Sequence, residues 1–195
     1  MFRMSAFALL AVLALQPLSS HAEMSQAELQ QILKPRIDGL MFLTKNAMIL
    51  DAIREQNRAN ASLESIQKID EEWKAGKSPL IQELQENKVG AFLKNIIVQQ
   101  SDVYNEAFVT DAKGANVAAF PATSDYWQGD EDKFTKAFAG GKGEVFIGDV
   151  EEDESTKQTA VQISVPMLYN KEAIGVLVIG VKVSVLEAEK LKAGK

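Results

Sequence analysis

Cysteine is absent from this 195-residue chain, and histidine occurs once, at His21. The first absence excludes a disulfide framework, a thiolate nucleophile and a thiolate-held metal. Because His21 falls in a segment expected to be removed, the commonest general base and the commonest metal ligand go with it. Long apolar runs are scarce too. Residues 5–15 are unbroken but span about a dozen positions, short of the roughly 20 that a membrane-spanning helix needs. The apolar run 174–183 is interrupted by Gly175, Gly180 and Lys182. Basic clusters are also missing: 21 Lys and Arg stand against 27 Asp and Glu, a net charge of −6 that argues against nucleic acid as a partner. Serine-carboxylate pairs such as Ser101-Asp102 and Ser124-Asp125 have no base to complete a triad. No catalytic residue is assigned, and the chain reads as a binder rather than an enzyme.

Metal and cofactor motifs are equally thin. The acidic run 149–154 lacks the spacing and the turning glycine of an EF-hand loop, so it reads as a solvated turn and no metal site is assigned. Gly140-Gly141-Lys142-Gly143 follows a helical pattern and has no Ser or Thr after it, which makes it a helix stop rather than a phosphate loop. No cofactor is expected.

The chain opens with a secretory pattern. Arg3 precedes the apolar stretch, Pro17 breaks it, and Ser20-His21-Ala22 puts small residues at the −3 and −1 positions of a cleavage site. A signal peptide over residues 1–22, cleaved after Ala22, predicts a soluble periplasmic protein that is not membrane-embedded. The organisation expected is that leader, an N-terminal helical segment at 23–102, a sheet core at 103–186 and a polar tail at 187–195.

Ser25-Gln26-Ala27-Glu28 is a capping box, and Leu29, Ile32, Leu33, Ile37, Leu40, Met41, Leu43, Met48, Leu50 and Ile53 recur at helical spacing. A helix of roughly 30 residues follows, about 45 Å long, with Pro35 kinking it or marking a second start. Ser62 caps a second helix to about Trp73, and Leu80 to about Gln100 reads as a third. From residue 103 the pattern changes. Residues 104–110 and 116–120 form a hairpin around Asp111-Ala112-Lys113-Gly114. Residues 121–130 are loop and 131–139 a short helix. Residues 145–150, 159–166 and 173–183 supply three more strands, with connections short enough for antiparallel neighbours. Apolar residues on both faces of 174–183 mark that strand as central.

These residues carry a resemblance. Phe108-Val109-Thr110-Asp111-Ala112-Lys113-Gly114, then Asp125-Tyr126-Trp127, then Lys136-Ala137-Phe138 through Gly143 to Gly148, then Ile163 to Met167, then Ile174-Gly175-Val176 through Gly180-Val181-Lys182-Val183 resemble the Cache, or PDC, family of extracytoplasmic sensor domains. The resemblance covers about residues 104–186. It implies an α+β fold in which a long N-terminal helix and its helical preface pack on a five-stranded antiparallel PAS-like sheet, with a small-ligand pocket on the other face.

The roof of that pocket would be residues 121–143, with Asp125, Tyr126 and Trp127. Aromatic groups with one polar tip suit a small-molecule site, although Trp127 could equally pin the loop to the sheet. Asp149 follows the third strand where family members present polar groups, Gln162 and Ser164 share one face of the fourth, and Phe108 lies on the first. Where many relatives have Gly-Val-Asp, this chain has Gly180-Val181-Lys182. Lys182 either puts a cation at the pocket, favouring a small carboxylate, or snorkels to solvent. Two functions follow. In one, a periplasmic binding protein captures a small organic solute and signals through a separate membrane-bound receptor kinase, cyclase or chemoreceptor. In the alternative, the pocket is vestigial and the N-terminal helix pairs with a second copy or with another periplasmic protein.

Overall fold

Ser25 begins the first helix as its sequence requires. Its hydroxyl accepts from the Glu28 amide while the Glu28 carboxylate receives the Ser25 amide, closing a capping box at the head of α1 (Gln26–Leu43). The computed structural model describes residues 24–193. The expected leader and its cleavage point at Ala22 lie outside the described residues. α1 runs through Pro35, and the break comes later, at residues 44–46. There the Thr44 hydroxyl donates to the Met41 carbonyl and the Asn46 carboxamide accepts from the Met48 and Ile49 amides, starting α2 (Ala47–Ala59). The single helix of about 30 residues is therefore two, because short polar side chains compete for backbone groups and restart the helix. The same happens further on. Asn87 separates α4 (Leu80–Glu86) from α5 (Lys88–Gln99) by capping the Gly90 amide. Between these pairs lies α3 (Leu63–Lys74), capped by Ser62.

The sheet comprises β1 (Tyr104–Thr110), β2 (Asn116–Phe120), β3 (Phe146–Glu152), β4 (Thr159–Tyr169) and β5 (Glu172–Lys182), in the order β2-β1-β5-β4-β3 with every pairing antiparallel. α6 (Asp132–Phe138) crosses between β2 and β3. The fold is thus α+β and PAS-like, with helices ahead of a five-stranded antiparallel sheet. β5 lies at the centre, as its two apolar faces required. Asp111 builds the first hairpin by accepting from the Lys113 and Ala115 amides. Asn170 and Lys171 build the last with φ of 52° and 72°, a geometry whose twist matches that of antiparallel strands.

The main core fills the space between one sheet face and the helices. Val109, Val161, Ile163, Val165, Leu177, Ile179 and Val181 meet Leu29, Leu33, Ile49, Ile53, Leu93 and Ile97. Each fully buried aliphatic side chain contributes about 1.5–3 kcal/mol. Residues 187–193, expected as a polar tail, instead continue α7 (Val183–Ala193). Leu186 is buried in the core, Arg36 makes two hydrogen bonds to the Glu189 carboxylate at 3.0 and 2.8 Å, and Lys190 meets Glu28 at 2.7 Å. Those partners lie across α1, so local composition does not disclose them. Among the described residues, no helix is long and apolar enough to cross a membrane.

Candidate functional site

The opposite face of the sheet is only half covered. Phe134 and Ala137 of α6 pack on Phe108, Ala119, Val176 and Val178, and the Phe134 and Phe138 rings stack 5.2 Å apart. Beyond that plug the face opens into a cleft of about 890 Å³, walled by β3, by the turn after it, by α6 and by the loop before α6. That volume falls within the range of small-molecule sites.

A β-bulge shapes the floor. The pairing of β1 with β5 slips between Tyr104 and Glu106, so two residues of β1 stand against Gly180. A side chain at 180 would overlap the Asn105 carboxamide and press the Glu106 Cγ at 3.1 Å, and glycine is what admits both. Glu106 is 2% exposed yet lines the cleft. Its Oε1 accepts from Gln162 Nε2 at 2.6 Å, and Ser155 Oγ lies 3.1 Å from Oε2. Asp153 stands beside it, its Oδ1 accepting from Ser155 Oγ, the Thr156 amide and Thr156 Oγ1 at 2.6–2.7 Å. Burial, then the hydrogen bond and charge of Asp153, push the Glu106 carboxyl from its ordinary 4.5 up to about 8, against the opposing pull of Gln162 and Lys133. Burial would also raise Asp153, but its hydrogen bonds from Glu106, Thr156 and Ser155 outweigh that and hold it low.

Asp125 forms the far rim, on a loop that is nailed down. Asp70 of α3 accepts from the Tyr126 and Trp127 amides at 2.8 and 3.0 Å, and Lys74 holds the other Asp70 oxygen. Gln128 donates to the Asp125 carboxylate at 2.7 Å, and the Asn116, Thr123 and Gln128 side chains all reach the Asp125 carbonyl. Burial raises the Asp125 carboxyl and the Gln128 hydrogen bond opposes it. Carboxylates outnumber the two lysines around the cleft, and both lysines are already paired, Lys133 with Glu131 at 2.9 Å and Lys136 with Asp132 at 2.8 Å. Burial works against the Lys133 ammonium, but Glu131, Glu106 and Asp125 keep it raised.

Of the residues expected at the site, Asp125, Asp149 and Gln162 line the cleft. Phe108 lies under α6 with Lys133 5.7 Å from its ring centre, and Ser164 is buried with an Oγ that has no hydrogen-bond partner among the described residues. Tyr126, Trp127 and Lys182 are elsewhere. Tyr126 packs on Trp73 behind the loop, ring centres 5.8 Å apart. Trp127 donates to the Lys113 carbonyl at 2.8 Å, taking the loop-pinning role. Lys182 stands at the end of β5, where its ammonium reaches the Ser101 carbonyl at 2.6 Å at the surface. The solvated reading of 149–154 holds for Asp149, Glu151, Glu152 and Glu154, which are exposed, but β3 extends to Glu152 and Asp153 turns inward because the turn's own donors and Glu106 receive it. Glu106, Ser155 and Lys133 were not singled out in the sequence, and Asp153 entered only as part of the acidic run 149–154. The available signals were a carboxylate two places from Phe108, on one face of an apolar strand, and Gly180 within a run of bulky residues.

No protein-family model and no curated protein sequence matches the chain. Among solved structures, it is similar to the sensor domain of the V. cholerae histidine kinase DctB, with 14% identity, 84% of this chain and 56% of that one covered, and a TM-score of 0.44. It is similar to the sensory domain of the Campylobacter jejuni chemoreceptor Tlp3 with isoleucine bound, at 15% identity, 84% and 66% coverage and a TM-score of 0.41. The extracellular domain of the putative histidine kinase vpHK1S-Z8 gives 14% identity, 83% and 57% coverage and a TM-score of 0.44. The chain spans less than two thirds of the length of each.

Proposed function

We propose that this protein is a Cache-type sensor module, exported to the periplasm, that holds a small organic solute in the cleft and passes the bound state to a separate membrane receptor. The observation that carries the reading is the cleft itself: an open volume on the sheet face that carries α6, reaching the head of α1 at its edge, with a buried carboxyl and fixed amide and hydroxyl groups converging on its floor. Such a surface is what solute recognition needs, since orientation comes from a few polar groups already held in place. A route from the cleft to the helices supports the signalling part. Gln26, in the first turn of α1, donates to the Asp149 carboxylate at 2.7 Å, and both line the cleft. A solute that draws Asp149 inward competes with that bond. The preference for a carboxylate solute loses its support with Lys182 at the surface.

The test is a thermal-shift screen of the purified protein against amines, amino acids, carboxylates and sugars. A solute present at 100 times its dissociation constant stabilises by about 2.7 kcal/mol, or about 5–10 °C for a domain of this size. A screen without any shift argues against the reading. The rival, pairing through the N-terminal helix, draws on Phe42, 78% exposed beside Met41 at the end of α1. A monomer in sedimentation at all concentrations removes self-pairing.

A further inference from the structure

We propose that the cleft binds its solute through an ammonium group, and that binding expels a proton which Glu106 shares with Asp153 in the empty site. The inference rests on the reading of the cleft as a solute site and adds the chemistry of the solute and its coupling to pH.

Proton placement follows from the donors. Ser155 has one hydroxyl proton and two carboxylate oxygens within reach, Asp153 Oδ1 at 2.7 Å and Glu106 Oε2 at 3.1 Å. The shorter contact takes it. Asp153 then holds three donors on one oxygen and is a satisfied anion, while Glu106 has only Gln162 donating to it. In a residue only 2% exposed, a carboxylate oxygen without a donor is best satisfied by carrying the proton itself and donating it to its neighbour, which agrees with the raised Glu106 and lowered Asp153.

The groups facing Glu106 decide what displaces that proton. From its own strand comes Asn105, itself 5% exposed, whose Oδ1 lies over Gly180 beside Glu106 with no donor among the described residues. From β4 comes Gln162, from the turn after β3 come Asp153 and Ser155, and from α6 comes Lys133, bound to Glu131 with Asp125 nearby. Further out along β3 stand Asp149, Glu151 and Glu152. An incoming carboxylate meets this acidic field, whereas an ammonium finds the Glu106 carboxylate on the cleft floor as its acceptor. The exchange balances: the Glu106 O–H bond breaks, its proton goes to solvent, and the remaining carboxylate pairs with the cation. Affinity therefore rises up to about tenfold per pH unit below the Glu106 pKa of about 8 and levels off above it.

Isothermal titration calorimetry at pH 6, 7 and 8, in phosphate and in HEPES, with ethanolamine, putrescine and succinate as probes, tests this. The expected result is an amine that binds with close to one proton released at pH 7 and about tenfold tighter at pH 7 than at pH 6. Glu106→Gln removes the proton release. Asp153→Asn, which takes away the neighbouring charge, moves the levelling-off to lower pH and supplies the readout if the first variant does not fold. Amine binding that is independent of pH, or that releases no proton, overturns the inference. Succinate binding without amine binding overturns it and leaves the cleft a solute site. A thermal-shift screen that is flat for every solute class, with no probe bound here, removes both.

Discussion

Replacing Glu106 by glutamine should change the pH dependence of stability more than stability itself. The amide keeps the shape of the acid, can donate to Asp153 as the protonated acid does, and can still accept from Gln162. In the natural chain the carboxyl stands near 8 when folded and near its ordinary 4.5 when unfolded. Between those values the folded state holds the extra proton, so stability is greatest below the unfolded value and falls as pH rises through the window. The slope is at most about 1.4 kcal/mol per pH unit, and the accumulated loss from pH 5 to pH 8 is on the order of 3 kcal/mol. Asp153 acts in the opposite sense, stabilising above its ordinary 3.8 and losing that contribution only in acid, so it does not mask the effect. Urea unfolding at pH 5, 6, 7, 8 and 9, followed by Trp73 and Trp127 fluorescence, measures it. The two proteins should be close at pH 5, and Glu106→Gln should gain steadily over the natural chain toward pH 8. Parallel profiles across that range would show that Glu106 titrates as an ordinary carboxyl and would refute the reasoning.

Asp70→Ala removes the acceptor of the Tyr126 and Trp127 amides and should cost about 3 kcal/mol, seen as a lowered denaturation midpoint by calorimetry. Gly180→Ala drives a methyl into the Asn105 side chain. It should destabilise by about 1–3 kcal/mol in urea titrations and displace the Glu106 amide resonance. Lys182→Ala, which removes only a surface contact to the Ser101 carbonyl, should alter stability by less than about 0.5 kcal/mol and leave any thermal shift by a bound solute intact.

The strands were legible because their signals are local. Alternation and the Asp111 to Gly114 turn set β1 and β2 at the residues expected, and the apolar run of β5 placed it centrally. Helix extents were less legible, since the periodicity of α1 and α2 continues across residues 44–46 while Asn46 restarts the backbone. The site was legible only at its rim. Tyr126 has the chemistry of a pocket residue, yet Trp73, more than fifty positions earlier, claims its ring. Glu106 gave the reverse case: within its own strand it is one of three polar residues, beside Asn105 and Thr110, with nothing local to single it out. Its burial arises from a bulge against β5 and from a turn that brings Asp153 across from β3, contacts between segments no local pattern encodes.

The central claim, that the cleft is the solute site, is tested most directly by amide chemical-shift mapping of the protein with the strongest solute from the thermal screen. The account predicts shifts concentrated at Glu106, Asp125, Asp149, Asp153, Ser155 and Gln162, extending to Gln26 at the head of α1. Shifts confined to the exposed end of α1 around Phe42, or to the far side of the 121–131 loop around Tyr126, would contradict it.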